Sequence, residues 1–186
     1  TVLSLAVDDA GVLWVGTDKG LARQQGTRFE TVSLPGADGV PMVYSLSPQL
    51  DGLWVGTSSG VWRHAQRRWS QPEWSSMFHR PNAMMSIATD RHGDHWIGTQ
   101  RELWHQKARG APEPVRTSGL NTPGIIYSLL VETDGALWVP SAGHGLGYLH
   151  AGWRQAARLQ GKGDELHGAM YRTIGLALEG GAWLGG

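Results

Sequence analysis

Short runs of alternating apolar and polar residues recur along this chain, and glycine-containing turns separate them. One run, Leu13–Thr17 (LWVGT), is rich in β-branched and aromatic residues, and Leu53–Thr57 repeats it letter for letter. Alternation with residues of this kind predicts short, half-buried strands. No segment keeps an apolar spacing of three and four residues long enough to predict an amphipathic helix. The pattern therefore predicts an all-β chain.

Tryptophan marks the period of this pattern. A Trp follows a glycine-containing turn at five positions, and the successive spacings are 40, 42, 42 and 45 residues. The five positions are Trp14, Trp54, Trp96, Trp138 and Trp183. A repeat of about 40–45 residues with several short strands is typical of a four-stranded antiparallel β-propeller blade.

The period divides the chain into four full blades and the start of a fifth. The predicted blades cover residues 1–41, 42–83, 84–124 and 125–169, and residues 170–186 begin another. Since the chain breaks off within this last repeat, we expect a piece of a larger propeller of about seven blades. A dimer that completes one ring from two half-rings is the alternative.

Each repeated residue has a packing role in this prediction. The Trp is large enough to bridge from one blade to the next. The glycine two residues later, at Gly16, Gly56 and Gly98, leaves space for a neighbouring side chain or backbone. An Asp-x-x-Gly turn precedes the Trp, and its glycine supplies the positive φ that a tight hairpin needs.

Two repeats depart from the pattern. Glu102 stands where Gly20 and Gly60 stand. A glutamate at positive φ would cost about 1 kcal/mol or more, so another turn geometry is expected there. Pro140 replaces the glycine of the fourth repeat and cannot donate to a ladder, so its strand is expected to end early. The altered loop that follows is either reshaped structure or a ligand loop.

Composition narrows the classes of function. Lys plus Arg and Asp plus Glu number 16 each, so nothing electrostatic favours nucleic acid or an anionic membrane. The chain has no Cys, which excludes disulfides, thiolate catalysis and Cys-ligated metals. No apolar run approaches the roughly 20 residues that span a bilayer, and the N-terminal residues do not read as a signal peptide.

The residues do not predict catalysis. A Gly-x-Ser-x-Gly elbow and a Walker-type loop are both absent from the sequence. His92 and His95 flank Asp94 in a turn, but no His-x-His or helical pair supports a metal site there. We therefore expect no catalytic residue, no metal and no cofactor.

The pattern Ser-Leu-x-x-Asp-x-x-Gly-x-Leu-Trp-Val-Gly-Thr-x-x-Gly-Leu resembles the two-component regulator propeller repeat. The likeness covers essentially the whole chain and is most specific in residues 4–21 and 45–61. That repeat builds periplasmic sensor regions of hybrid histidine kinases and of some diguanylate cyclases. The resemblance implies a periplasmic propeller that recognises a small molecule or an oligosaccharide and signals to a cytoplasmic output domain. A protein-binding or assembly propeller and a propeller lyase remain alternatives.

One link between blades is the predicted ligand site. Links of this kind lie on the same face as the loop between the second and third strands, and such loops commonly carry function. The link Pro72–Asn82 combines aromatic side chains with Arg, His and Asn, a combination that suits a sugar ring. The predicted contacts are Trp74, His79, Arg80 and, at the rim, His144. In the alternative interpretation, Trp74 and Phe78 only pin the loop.

Overall fold

The computed structural model describes residues 1–49, 51–79, 81–108, 110–115, 124–141, 145–149, 156–158, 173–176 and 182–185. These residues form short strands and one 3₁₀ helix, Glu73–Met77. The strands are β1 (Val2–Val7), β2 (Leu13–Thr17), β3 (Gly20–Gln25), β4 (Arg28–Val32), β5 (Val43–Gln49), β6 (Gly52–Thr57), β7 (Gly60–Ala65), β8 (Arg68–Ser70), β9 (Met84–Thr89), β10 (His95–Thr99), β11 (Leu103–Gln106), β12 (Glu113–Pro114), β13 (Leu130–Val131), β14 (Leu137–Ser141), β15 (Gly145–Leu149), β16 (Ala156–Arg158), β17 (Thr173–Leu176) and β18 (Ala182–Gly185).

Each repeat folds as an antiparallel meander. The strands form the sheets β1-β2-β3-β4, β5-β6-β7-β8, β9-β10-β11-β12 and β13-β14-β15-β16, and β17 pairs with β18. This arrangement confirms the predicted all-β chain of four-stranded antiparallel blades. The chain divides into two compact units, residues 1–85 and residues 86–186.

The repeated tryptophans occupy equivalent positions in their sheets. Each lies in the second strand, and the side chains of Trp14, Trp54 and Trp96 are buried, with 2%, 4% and 3% of their surface exposed. Trp138 has the same place in β14 and is half-buried. Trp183 lies in β18, but its side chain is outside the described residues. The burial expected at these four positions is therefore confirmed for Trp14, Trp54 and Trp96 and is only partial at Trp138.

In the first unit, Trp14 joins the first sheet to the second. Its ring meets Trp69 edge-on, with the ring centroids 5.9 Å apart, and lies 5.2 Å from the ring of His64. It belongs to one hydrophobic core with residues of both sheets, among them Leu21 and Leu46. The predicted bridging role of the Trp is confirmed here.

The repeated glycines make room for the chain segment that leads into the next sheet. A Cβ atom on Gly56 would lie 2.9 Å from Met84 Cε and closer still to the Met84 carbonyl oxygen. A Cβ atom on Gly98 would lie 2.5 Å from both Ser86 Oγ and Ile126 Cγ2. Glycine is thus required by close approach at these positions, as the sequence predicts.

In the second and third repeats, the serine supplies a hydrogen bond at the same contact. Ser45 Oγ donates to the Met84 carbonyl at 3.3 Å, and Ser86 Oγ donates to the Ile126 carbonyl at 2.9 Å. Both serines are buried, so each bond satisfies a polar group that water does not reach. In these two repeats, the Ser and Gly positions therefore act together in docking the residue that leads into the next sheet.

A carboxylate organises the turn before the Trp. Asp8 accepts hydrogen bonds from the backbone of Ala10 and Val12 at 3.0 and 2.9 Å, and from Trp14 Nε1 at 2.8 Å. Burial would raise the pKa of Asp8, but these hydrogen bonds, together with the charge of His64, outweigh it and lower the pKa. Gly11 closes the turn with a φ of 76°.

The structure confirms one of the two predicted departures and corrects the other. Glu102 is not among the residues with positive φ, and β11 begins only at Leu103, so this turn does have another geometry. The prediction that β14 ends early at Pro140 is wrong, because the strand continues to Ser141 and pairs with β15 throughout. On the other side of β14 the ladder is short, since β13 pairs with β14 only at Leu130 and Val131.

Lowering the pH from 7 to 5 is expected to destabilise the first unit through His64. Burial lowers the pKa of His64 below its usual value, although the charge of Asp8 opposes this shift and Arg23 adds to it. The unfolded chain then binds the proton more readily, so this contribution is complete above about pH 6.5 and is lost as the pH falls below it. Urea unfolding of His64→Gln should show a smaller loss between pH 7 and 5. An unchanged loss, equal to that of the exposed control His92→Gln, would contradict this assignment.

Candidate functional site

The predicted ligand link, Pro72–Asn82, packs over the turn between β6 and β7. Ser59 in that turn forms an isolated antiparallel bridge with His79. Ser75, in the 3₁₀ helix, contacts Val61 at the start of β7. The link therefore lies on the face that carries the loop between the second and third strands, as predicted.

Ser75 anchors the link to the sheet. Its Oγ donates to the Val61 carbonyl at 2.9 Å and accepts from the Val61 N–H at 2.8 Å. Gln71 Nε2 donates to the same oxygen at 3.3 Å. Because the serine is buried, these bonds hold the helix in one position and leave a rigid support beneath the exposed residues of the link.

Trp74 and Phe78 face the protein rather than solvent. Trp74 is 8% exposed and stacks on Trp54, with a centroid distance of 5.7 Å and an interplanar angle of 14°. Phe78 is fully buried and meets Trp74 edge-on at 5.5 Å. The two rings thus have the pinning role that the sequence left as an alternative. A sugar could stack on Trp74 only if the link rearranged.

Of the other predicted contacts, His79 is the one that the structure describes. Its side chain is exposed, and its carbonyl accepts from the Asn82 N–H at 2.6 Å, which closes the turn after the helix. Met77, at the end of the helix, is 36% exposed. Arg80 and His144 lie outside the described residues. The structure therefore brings an exposed imidazole and a thioether to the surface of this link.

In the histidine-containing turn of the third repeat, each side chain contacts a different partner. His95 Nδ1 lies 2.8 Å from Thr89 Oγ1, whereas Asp94 contacts His105 Nε2 at 3.2 Å. His92 accepts from Arg91 Nε at 3.2 Å. Among the described residues, no three His, Asp or Glu side chains are close enough to hold a metal ion.

A basic or imidazole side chain pairs with the repeated Trp in each of the first three sheets, and it was not predicted from the sequence. The residue paired across the hairpin with each Trp is Arg23, Arg63 or His105 in the first three sheets. Each lies nine residues after its Trp. His105 stacks on Trp96 at 3.8 Å, and the Arg63 guanidinium lies 5.8 Å from the ring of Trp54. Cationic or planar side chains at this fixed offset could have been found from the spacing alone.

Sequence comparisons identify no relative of this chain. No known family model matches it, and no curated protein does. Comparison with solved structures is informative about the fold. The extracellular domain of BT3049 from B. thetaiotaomicron, assigned as a hybrid two-component system, is 20% identical with a TM-score of 0.79 over 99% of this chain.

Proteins of other functions share the same fold. PorZ, a surface component of the type-IX secretion system of Porphyromonas gingivalis, is 16% identical with a TM-score of 0.69 over 95% of this chain. Virginiamycin B lyase from Staphylococcus aureus is 15% identical with a TM-score of 0.69 over 97%. At such low identity these likenesses show the fold alone, and the fold is a β-propeller.

The chain spans a fraction of each of these proteins. It covers 26% of the BT3049 domain, 29% of PorZ and 61% of the lyase. Within the described residues, no helix is long and apolar enough to cross a membrane.

Proposed function

We propose that this chain is a non-catalytic, ligand-sensing propeller segment of a bacterial signal-transduction receptor. It recognises an extracytoplasmic small molecule or oligosaccharide in the periplasm, and the receptor passes the signal to a cytoplasmic output domain. The observation that carries the proposal is the two-component-type repeat together with a TM-score of 0.79 against the extracellular domain of BT3049 over 99% of the chain.

The repeated residues and the links between sheets have different roles, and this difference supports the proposal. The repeated Trp, Gly and Ser residues are engaged in contacts between successive strands and sheets, as at Trp14, Ser45 and Gly56. They serve as a scaffold, whereas the links differ from repeat to repeat and end in exposed side chains. Ligand recognition by variable loops on a rigid scaffold is the usual arrangement for sensors of this kind.

The first sheet carries an apolar face that further blades would cover. Leu5 of β1 is 61% exposed, whereas Leu46, its counterpart in β5, is 8% exposed because it packs in the core shared with the first sheet. Leu3 and Val7 of the same strand are 41% and 56% exposed. We propose that the remaining blades of the receptor pack here. A second copy of the chain is the alternative.

Proteins with two other functions have a fold similar to that of this chain. The likeness to PorZ favours an assembly propeller, and the likeness to virginiamycin B lyase favours an enzyme. The repeat pattern argues for the sensor over both, because the resemblance to the two-component propeller repeat extends along essentially the whole chain.

The ligand contact on the link face is tested by substitution at His79. With the intact sensor region and a panel of oligosaccharides that includes uronic-acid oligomers, His79→Ala and Arg80→Ala should each weaken binding about tenfold, the loss of one good hydrogen bond. Trp74→Ala should act mainly by lowering the melting temperature, because this side chain is buried. The control is Arg28→Ala, in the β3–β4 hairpin at the other end of the sheet. Loss of binding in the control alone would place the ligand on the opposite face.

A further inference from the structure

A cleft of about 670 Å³ opens between the first two sheets of the first unit. Its walls are the turn between β1 and β2, the turn between β5 and β6, and the hairpin between β7 and β8. These turns lie at the end of the sheets opposite to the link Pro72–Asn82, because turns of a meander alternate between its two ends. A volume of this order is usual for a small-molecule site.

The two facing walls of the cleft carry opposite charge. The turn of the first sheet contributes Asp8 and Asp9, and the hairpin of the second sheet contributes Arg63 and Arg67. Asp51, in the turn between β5 and β6, is paired with Arg63 at 3.2 Å and accepts from Trp54 Nε1 at 2.9 Å.

The charged groups differ in how far they are engaged within the protein. Asp8 holds its own turn together through three hydrogen bonds, and Arg63 donates to the Asp51 carbonyl at 2.8 Å. Asp9 and Arg67 are exposed, one on each wall. They are therefore the two charges best placed to meet a ligand in the cleft.

The hairpin that carries Arg67 is strained. Gln66 and Arg67 have φ values of 50° and 61°, and they are the non-glycine residues with positive φ among those described. The pairing of Ala65 with Arg68 makes them the two-residue loop of a hairpin, where Asn and Gly are preferred. The corresponding hairpin of the first sheet uses Gly26 at the first of these positions, with a φ of 60°. Two long polar side chains thus occupy positions that glycine would stabilise, and such strain points to function.

Aromatic packing fixes the position of the basic wall. His64, next to Arg63, lies 5.2 Å from the ring of Trp14 and 4.7 Å from the ring of Trp69. These contacts join the hairpin to the first sheet, so the distance between the two walls is set by the core. A site built on a rigid support of this kind can select a ligand by its length.

We propose that this cleft binds a zwitterionic small molecule, an amino acid or a short peptide, with its ammonium group at Asp9 and its carboxylate at Arg67. A purely anionic ligand would face the carboxylates of one wall, and a purely cationic ligand would face the guanidinium groups of the other. A ligand with both charges meets a complementary group on each wall. This site shares no residue with the link-face site and does not depend on it.

The probe is glycylglycine, titrated into this chain and followed by calorimetry. Two analogues act as controls, since N-acetylglycine lacks the ammonium group and glycinamide lacks the carboxylate. Each should bind at least tenfold more weakly than glycylglycine. Asp9→Asn should weaken glycylglycine at least fivefold and leave N-acetylglycine unchanged, whereas Arg67→Gly should weaken glycylglycine and leave glycinamide unchanged. Arg28→Ala and His79→Ala should bind glycylglycine like the parent.

The strain gives a second readout that does not need the ligand. Arg67→Gly should raise the melting temperature while it weakens binding, because glycine adopts this φ without a steric cost. Failure of glycylglycine to bind the folded chain, or equal binding of glycylglycine and N-acetylglycine, would overturn the proposal. A fall in the melting temperature of Arg67→Gly with unchanged binding would show that the charged walls serve only to hold the two sheets together, and would also overturn it.

Discussion

Replacing Trp14 by alanine is expected to lower the free energy of unfolding of the first unit by about 4 kcal/mol. The indole is 2% exposed and contacts Trp69 and His64 of the neighbouring sheet. Its removal leaves a cavity between the two sheets, and the surrounding side chains can collapse into it only partly. The substitution also removes the 2.8 Å hydrogen bond to Asp8, which organises the preceding turn.

Urea unfolding, followed by circular dichroism, measures this loss. The control is Phe29→Ala, an aromatic side chain that is 55% exposed, for which a change within about 0.5 kcal/mol is expected. Trp14→Phe should fall between the two, because it keeps part of the packing and loses the hydrogen bond. If Trp14→Ala cost no more than Phe29→Ala, the Trp would not be the bridge between the sheets.

The second large effect is expected at Gly56. An alanine Cβ there would overlap the Met84 carbonyl and Ser45 Oγ, so Met84, at the start of β9, would have to move away from β6. Forcing an extra atom into a packed contact typically costs 1–3 kcal/mol, and a clash with backbone belongs at the upper end, about 3 kcal/mol. Displacement of β9 would also lengthen the Ser45 hydrogen bond to Met84, now 3.3 Å.

Gly26→Ala is the matched control for this substitution. Gly26 has a φ of 60°, and a Cβ there would meet no atom within 4 Å, so the cost is the backbone strain alone, about 1 kcal/mol. In urea unfolding, the free energy of unfolding of Gly56→Ala should therefore be about 2 kcal/mol lower than that of Gly26→Ala. Equal stability of the two variants would mean that Gly56 is not a contact between strands.

Much of the scaffold could be predicted from the sequence because every repeat meets the same neighbours. Trp14, Trp54 and Trp96 are each buried in the second strand of a sheet. Gly56 and Gly98 each face a residue that leads into the next sheet. Residues in the same environment are kept to the same type, so spacing alone reveals their role.

Features that depend on a single side chain were harder to predict. The effect of Pro140 depends on which neighbouring strand its missing N–H would have faced, and the sequence does not show that orientation. Trp74 is a similar case, since an aromatic residue in a link can point to solvent or to the sheet. Its partner, Trp54, lies 20 residues earlier, and only the folded chain shows that the two rings stack.

The cleft could not have been located from the sequence. Its lining residues come from three turns that are far apart in the chain, residues 8–10, residues 48, 49 and 51–53, and residues 63–67. The strained hairpin has no glycine to mark its positive φ, because Gln66 and Arg67 occupy the positions where glycine is usual. By contrast, the predicted link was found by composition, which identifies a candidate region but not the direction of its side chains.

The full coding sequence from which this segment comes tests the sensor function most directly. We expect further repeats of the same period in the same chain, which would supply the blade that covers Leu5, followed by a transmembrane segment and a histidine kinase or diguanylate cyclase domain. A chain that closes as a complete ring with a catalytic histidine and a metal site would contradict this account in favour of a lyase. A long propeller array without an output domain would contradict it in favour of an assembly protein.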